Sequence, residues 1–152
     1  MKRLRIEPLD PDSAILVDAC TTLLVNAFAD PVRYSLERIR RDLQQREAIF
    51  YRQFFVAMAG GEVLGVGGVK AADWASDTHI LHLSAVAPEQ RGKGIGRALI
   101  AARIAWVEAN FERGRILVST ARTRRYREMG FVEIRASRIG SRRLMVRRFK
   151  SG

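Results

Sequence analysis

Residues 84–96 read Ser84-Ala85-Val86-Ala87-Pro88-Glu89-Gln90-Arg91-Gly92-Lys93-Gly94-Ile95-Gly96. A strand end runs through Pro88 into a glycine-rich turn, and a strong helical pattern starts at once. Gly92, Gly94 and Gly96 fall at alternate positions and leave the backbone uncovered where that helix begins. A helix start exposes unpaired N–H groups and carries a partial positive charge. Arg91, Lys93 and Arg97 add side-chain cations. The ensemble is suited to a phosphate or pyrophosphate.

Three glycine-rich loops compete for this stretch. A Walker A loop needs four residues between its first Gly and a Gly-Lys-Ser/Thr. Here Gly94 follows Lys93, so the magnesium-binding hydroxyl is missing. A dinucleotide fingerprint needs Gly-x-Gly-x-x-Gly. Here the third glycine comes one residue early, position 97 is Arg, and the loop lies past the middle of the chain. The pattern Arg/Gln-x-x-Gly-x-Gly/Ala does fit, over Arg91, Gly94 and Gly96. Alone it also fits a tight strand–helix turn with glycines for close packing.

A second signature is Tyr126-Arg127-Glu128-Met129-Gly130-Phe131. Gly130 suits a left-handed helix C-cap, and Phe131 opens an alternating run. With Val86 and Pro88 upstream of the glycine loop, the two signatures stand in the order and distance that leave room for a long helix, a strand and a turn. The chain thereby resembles the GCN5-related N-acetyltransferase (GNAT) superfamily, over nearly its whole length.

That resemblance implies acetyl-CoA as the cofactor. It implies that Arg91, Gly92, Lys93, Gly94, Ile95, Gly96 and Arg97 bind its pyrophosphate. It also implies that a bulge splays the preceding strand from its neighbour, so that backbone groups of Ser84, Ala85 and Val86 pair with the pantetheine arm and polarise the thioester carbonyl. Tyr126 stands in the place of the family's general acid; the other reading is a core aromatic. Some members place a Glu on the strand before the loop as base. This chain departs from that pattern, with no carboxylate between Asp77 and Glu89. His82 has an intrinsic pKa suited to base work, but a structural histidine, ordered water or deprotonation in bulk fits as well.

Composition sets the outer bounds. A length of 152 residues suits one domain, 1–152, with a sizeable core. No apolar run approaches the roughly 18 residues of a membrane span, and the first residues lack an apolar signal core. Cys20 is the one cysteine, so an intrachain disulfide is excluded and a cytoplasmic home is expected. Cys20 falls on an apolar helical stripe and reads as core. No metal site is expected. The net charge is +11, from 27 Lys and Arg against 16 Asp and Glu. Such an excess raises nucleic acid as a partner, but the cations are spread over many elements, the densest group being Arg122, Arg124, Arg125 and Arg127.

Along the chain, residues 3–8 read as a strand and Asp12 or Ser13 as the N-cap of a helix broken at Asp30-Pro31. Ser35 caps a second helix to about residue 50. Residues 54–59 and 62–70 form a hairpin around Gly60-Gly61. Gly65, Gly67 and Gly68 mark a weakened strand, a bulge or close backbone approach. Residues 78–87 form a long strand. Residues 94–110 carry the best helix, with Ile95, Ala98, Leu99, Ala102, Trp106 and Ala109 as its apolar stripe. A strand over 115–120, a helix over 121–129 and strands over 131–136 and 144–149 complete the chain, with a turn at 139–141. The order predicts an α+β fold: a mixed, largely antiparallel sheet of about seven strands with helices on both faces.

The expectation is an acetyl-CoA-dependent N-acetyltransferase acting on an amine of a small molecule or a protein, with no membrane partner. A homodimer is compatible with the resemblance. Two alternatives stand beside it: a non-catalytic basic module that binds nucleic acid or protein, and a transferase of a longer acyl group. The complete glycine loop together with Tyr126 argues against the module.

Overall fold

Seven strands and four helices follow the predicted order in the computed structural model, which describes residues 3–44, 50–134 and 140–150. The strands are β1 (Leu4–Pro8), β2 (Arg52–Ala59), β3 (Glu62–Ala71), β4 (Thr78–Val86), β5 (Arg113–Thr120), β6 (Val132–Glu133) and β7 (Arg143–Lys150). The helices are α1 (Ala14–Phe28), α2 (Leu36–Gln44), α3 (Ile95–Asn110) and α4 (Thr123–Arg127). One sheet holds all seven strands in the order β1-β2-β3-β4-β5-β7-β6. Among the described residues only β4 and β5 run parallel. The α+β expectation is met. Residues 45–49 of the predicted second helix, the sixth strand beyond residue 134 and the start of the last turn fall outside the described residues, and Phe50, where that helix was expected to end, lies in a bend. Among the described residues no helix is long and apolar enough to cross a membrane.

Local chemistry explains the boundaries. Ser13 caps α1 by accepting from the Leu16 N–H at 3.3 Å, and Ser35 accepts from Arg38 N–H at 3.2 Å before α2. Gly60 and Gly61 take φ of 55° and 83°, the sign a two-residue hairpin requires. Two apolar clusters sandwich the sheet. Helix α3 covers one face with Leu99, Ile104 and Val107, over Phe55, Val69 and Ile116. Helices α1 and α2 cover the other with Val17, Cys20, Leu24, Ile39 and Leu43, over Phe54, Val56 and Val66. Burial raises the Cys20 thiol to about 12, so it stays protonated and inert.

The buried face of α3 departs from the predicted stripe. It runs through Ile95, Leu99, Ile100, Arg103, Ile104 and Val107, while Ala109 is exposed. The small alanines lie toward the edge of the contact. A charged residue, Arg103, holds its centre.

Strand β4 is interrupted where it matters. Val66 pairs with Ala85 and Gly68 with His82, so Leu83 and Ser84 together oppose Gly67. This is a bulge of two residues against one, and Leu83 adopts φ 49° to make it. A branched residue in the left-handed region costs about 1–2 kcal/mol. On its other side β4 pairs with β5 only from Thr78↔Arg115 to Ile80↔Leu117. Beyond that point β5 keeps β7 as partner through Thr120↔Arg143. Among the described residues, 81–86 therefore have β3 on one flank and no strand on the other.

Candidate active site

The glycine loop lies at the end of this unpaired strand edge. One turn of 3-10 helix, Pro88–Gln90, follows β4, and Gly94 is the N-cap of α3. Gly92 and Gly94 have φ of 81° and 84°, and a Cβ built on either would meet nothing within 4 Å. Their backbone is thus open to solvent in a conformation that L side chains resist. No side chain caps α3, so the first-turn N–H groups face outward with the helix dipole behind them.

Several cations surround the loop. Arg91 donates from Nε to the Val86 carbonyl at 3.3 Å, tying the loop to the end of β4. Lys93 reaches Gln90 Oε1 at 3.1 Å. Arg97 pairs with Glu128 at 2.5 Å and is partly neutralised there; that contact and Arg124 hold the Glu128 carboxyl below its usual range. Arg125 was legible in sequence only as one of a cluster. Its guanidinium lies directly on Gly96, where a Cβ would stand 2.6 Å from Nη1. Burial lowers its pKa first, and the neighbouring Arg122 and Arg97 lower it further. Cations crowded this closely, over an uncapped helix start, fit a polyanion such as the phosphate end of coenzyme A.

Tyr126 sits on α4, 7% exposed, with its ring edge-on to Phe131 at 5.4 Å. Gly130 at φ 90° ends the helical segment, and the Phe131 N–H returns to the Tyr126 carbonyl at 3.1 Å. The signature therefore works locally as a turn that buries Phe131, 1% exposed, and so fixes Tyr126. Helix α3 also buries a charged residue that its hydropathy pattern gives no sign of, Arg103, whose pKa burial lowers and Tyr126 raises. Arg103 is 1% exposed. It donates from Nη1 to the Gly68 carbonyl at 3.0 Å and from Nε to the Leu99 carbonyl at 3.1 Å. Gly67 makes room for it: a Cβ there would stand 2.9 Å from the guanidinium carbon.

His82 is on the opposite face of the sheet from Tyr126. Its ring lies 5.4 Å from Phe54, and its buried Nε2 has no hydrogen-bond partner. Burial pushes its pKa down to about 3, helped by Lys70, Arg52 and Arg103. A group so reluctant to hold a proton is a weak base near neutral pH. His79, at the start of β4, is 3% exposed in an aromatic cluster with Tyr51, Phe111 and Phe149. Its Nδ1 lies 2.6 Å from the Tyr51 hydroxyl. The fold thus brings Ser84, Ala85 and Val86 to the glycine loop. It holds Tyr126 under α3, and it keeps the His82 ring away from both.

A family model described as the acetyltransferase (GNAT) domain matches residues 50–133, more than half of the chain. The chain belongs to the GNAT acetyltransferase family. The matched span runs from β2 to β6 and contains both the glycine loop and Tyr126. Curated proteins gave no match. Solved structures share the fold of this GNAT domain along their whole length. The PaiA N-acetyltransferase of Thermoplasma acidophilum, in complex with coenzyme A, superposes with TM-score 0.73 at 16% identity, over 97% of this chain and 99% of that one. An acyl-CoA N-acyltransferase from Pseudomonas aeruginosa gives TM-score 0.73 at 14% identity, over 95% and 99%. A GNAT-family acetyltransferase from Staphylococcus aureus Mu50 gives 0.69 at 20%, over 97% and 100%. At such identities the likeness is one of fold.

Proposed function

We propose that this GNAT domain transfers an acetyl group from acetyl-CoA to a primary amine. The observation that carries the reading is a juxtaposition. An uncapped α3 start with two open glycines adjoins a strand edge, residues 81–86, that has no neighbour. Acetyl-CoA supplies an acyl group already activated as a thioester.

The chain's residues then divide the work. Loop and first-turn N–H groups, with Arg91, Lys93, Arg97 and Arg125, hold phosphate oxygens. Main-chain groups of Ser84, Ala85 and Val86 hold the extended arm and stabilise charge on the carbonyl oxygen, an oxyanion-hole role. Tyr126 donates its hydroxyl proton to the departing sulfur, and the proton that the attacking nitrogen sheds as it becomes the amide returns through water to the phenol oxygen. Along β4 no carboxylate stands ready as base, and His82 is a weak one. The amine therefore enters already neutral, having lost its extra proton to water, and His82 forms part of the wall behind it.

Calorimetry with coenzyme A, followed by thiol release from acetyl-CoA over a panel of amines, tests the reading. Binding with amine-dependent thiol release is the expected result. Faster release from longer acyl-CoA substrates would overturn the choice of acetyl. Duplex DNA binding that ignores coenzyme A and weakens steeply with salt would overturn the enzyme itself.

A further inference from the structure

We infer that Arg103 is a positioning residue for the break in β4: its guanidinium is a wedge that holds the bulge at Leu83-Ser84 and so sets the course of the main chain over residues 83–85. The use made of those peptide groups rests on the acetyl-transfer reading; the wedge itself does not. Arg103 lies at the centre of the buried α3 face and is 1% exposed. An apolar side chain of similar length would fit a helix–sheet contact more cheaply than a cation taken out of water. What the cation adds is donors, and these go to main chain. Nε donates to the Leu99 carbonyl at 3.1 Å, one turn back in α3, which orients the side chain. Nη1 donates to the Gly68 carbonyl at 3.0 Å, across in β3. Gly68 pairs with His82, so this carbonyl lies next to the point where two residues of β4 oppose one of β3. A bulge disrupts the ladder locally, and the guanidinium supplies a donor where it does so.

Two side chains are missing from the space the guanidinium fills. One is at Gly67, whose partner Phe55 belongs to the α3 cluster. A Cβ on Gly67 would stand 2.9 Å from the guanidinium carbon. The other is that of Leu83. Leu81 belongs to the α3 cluster, and strict alternation would bring Leu83 to the same face. There it would stand across from Gly67, about 4.5–5.5 Å from that Cβ position, beside the guanidinium. Instead φ 49° turns it into the α1–α2 cluster. A conformation so unfavourable for a branched residue persists only where its surroundings over-determine it. Arg103 does this by occupying the place to which Leu83 would return. Gly94, in the phosphate loop, is the N-cap of the helix that carries Arg103. One rigid element therefore sets the glycine loop and the strand break relative to each other.

Arg103→Met tests the wedge in two ways. In ligand-free protein, the Leu83 Cα and Cβ chemical shifts and its HN–Hα coupling report φ directly. They should leave the left-handed values of wild type for those of an extended strand. Calorimetry then compares coenzyme A with adenosine 3′,5′-bisphosphate, which has no pantetheine arm. The bisphosphate should bind within about twofold of wild type. Coenzyme A should bind about 5–30-fold more weakly, the equivalent of one or two main-chain hydrogen bonds, and kcat should fall about 10–100-fold. An unchanged Leu83 signature would overturn the inference. So would an equal loss for both ligands, which would mean a damaged α3. A moved Leu83 with full coenzyme A affinity would uphold the wedge and instead sink the main-chain role of residues 83–85. If Arg103→Met does not fold, Arg103→Lys keeps the charge but loses the planar fork that reaches both carbonyls. It should shift Leu83 in the same direction and weaken coenzyme A about 3–10-fold with the bisphosphate unchanged, and a wild-type Leu83 signature there again overturns.

Discussion

Gly96→Ala separates the fold from the phosphate site. Gly96 lies in the first turn of α3 with an ordinary helical backbone, so alanine is not strained there by φ. The new Cβ would stand 2.6 Å from Arg125 Nη1 and 3.3 Å from its Cζ, so the guanidinium must leave. It is the far end of a flexible side chain and can move cheaply. The helix itself gains about 0.5–1 kcal/mol from losing a glycine, which should hold Tm level or raise it by about 2 °C. Binding should move the other way. A charge-assisted contact to phosphate is worth about 1.5–3 kcal/mol. Arg125 is only partly buried, so about 1–2 kcal/mol is the fair figure, or roughly 5–30-fold in Kd. Titration calorimetry of coenzyme A against wild type, Gly96→Ala and Arg125→Ala measures it. The two variants should weaken binding by similar factors, and combining them should add little. A Gly96→Ala protein that binds coenzyme A as wild type does, with Arg125 displaced in its crystal structure, would refute the phosphate role of that arginine.

Three further outcomes are expected. Tyr126→Phe should lower kcat roughly 10–10³-fold with a modest change in coenzyme A affinity, and an unchanged single-turnover rate would return Tyr126 to the core. His82 and His79 both have folded pKa values below the unfolded one. The unfolded chain therefore binds more protons below about pH 6.5, so their contribution is complete above that pH and is lost as pH falls toward the folded values. Because His82 is partly exposed, we expect about 1–2 kcal/mol lost between pH 6.5 and 4.5; denaturant midpoints in His82→Phe that still show the full acid loss would exclude this histidine as a source. Finally, Lys70, Arg52 and Arg103 all act on His82 with positive charge. Amines carrying a carboxylate should therefore be better acceptors than spermidine in kcat/KM, and efficient spermidine acetylation would contradict the charge argument.

Much of this could be read along the chain, for physical reasons. Element order follows from periodicity and caps, and Ser13, Ser35 and the Gly60-Gly61 pair mark the ends they were expected to mark. Open backbone is legible because glycine is itself the signal, as at Gly92 and Gly94, where φ is positive and a Cβ would meet nothing. Arg103 was illegible because a hydropathy reading removes any arginine from an apolar stripe, and it shifted the predicted α3 face toward the alanines. The clue was there in Gly67, whose missing side chain is explained only by a residue 36 positions later that needs the space. Arg125 was hidden among four arginines on one short segment, since sequence cannot say which of them turns toward Gly96. His82 looked like a base by residue type alone; its burial beside Phe54 and three cations is a property of packing.

Strand β4 presents three different surfaces at once. Leu81 and Val86 face the α3 cluster, while Leu83 and Ala85 face the α1–α2 cluster. The third surface is the edge that pairs with no strand beyond Ile80 among the described residues, where peptide groups rather than side chains line the flank. The recognition proposed there would require no particular side chain. Packing and binding are therefore separate assignments along the same six residues: substitution can repack either core while the ladder of donors and acceptors stays as it was. The converse also holds. A proline at one of these positions, or glycine in place of Leu83 to relax its φ of 49°, would alter recognition without changing any side chain that touches a ligand. In the role proposed for this strand the main chain does the recognising, and the side chains set its course.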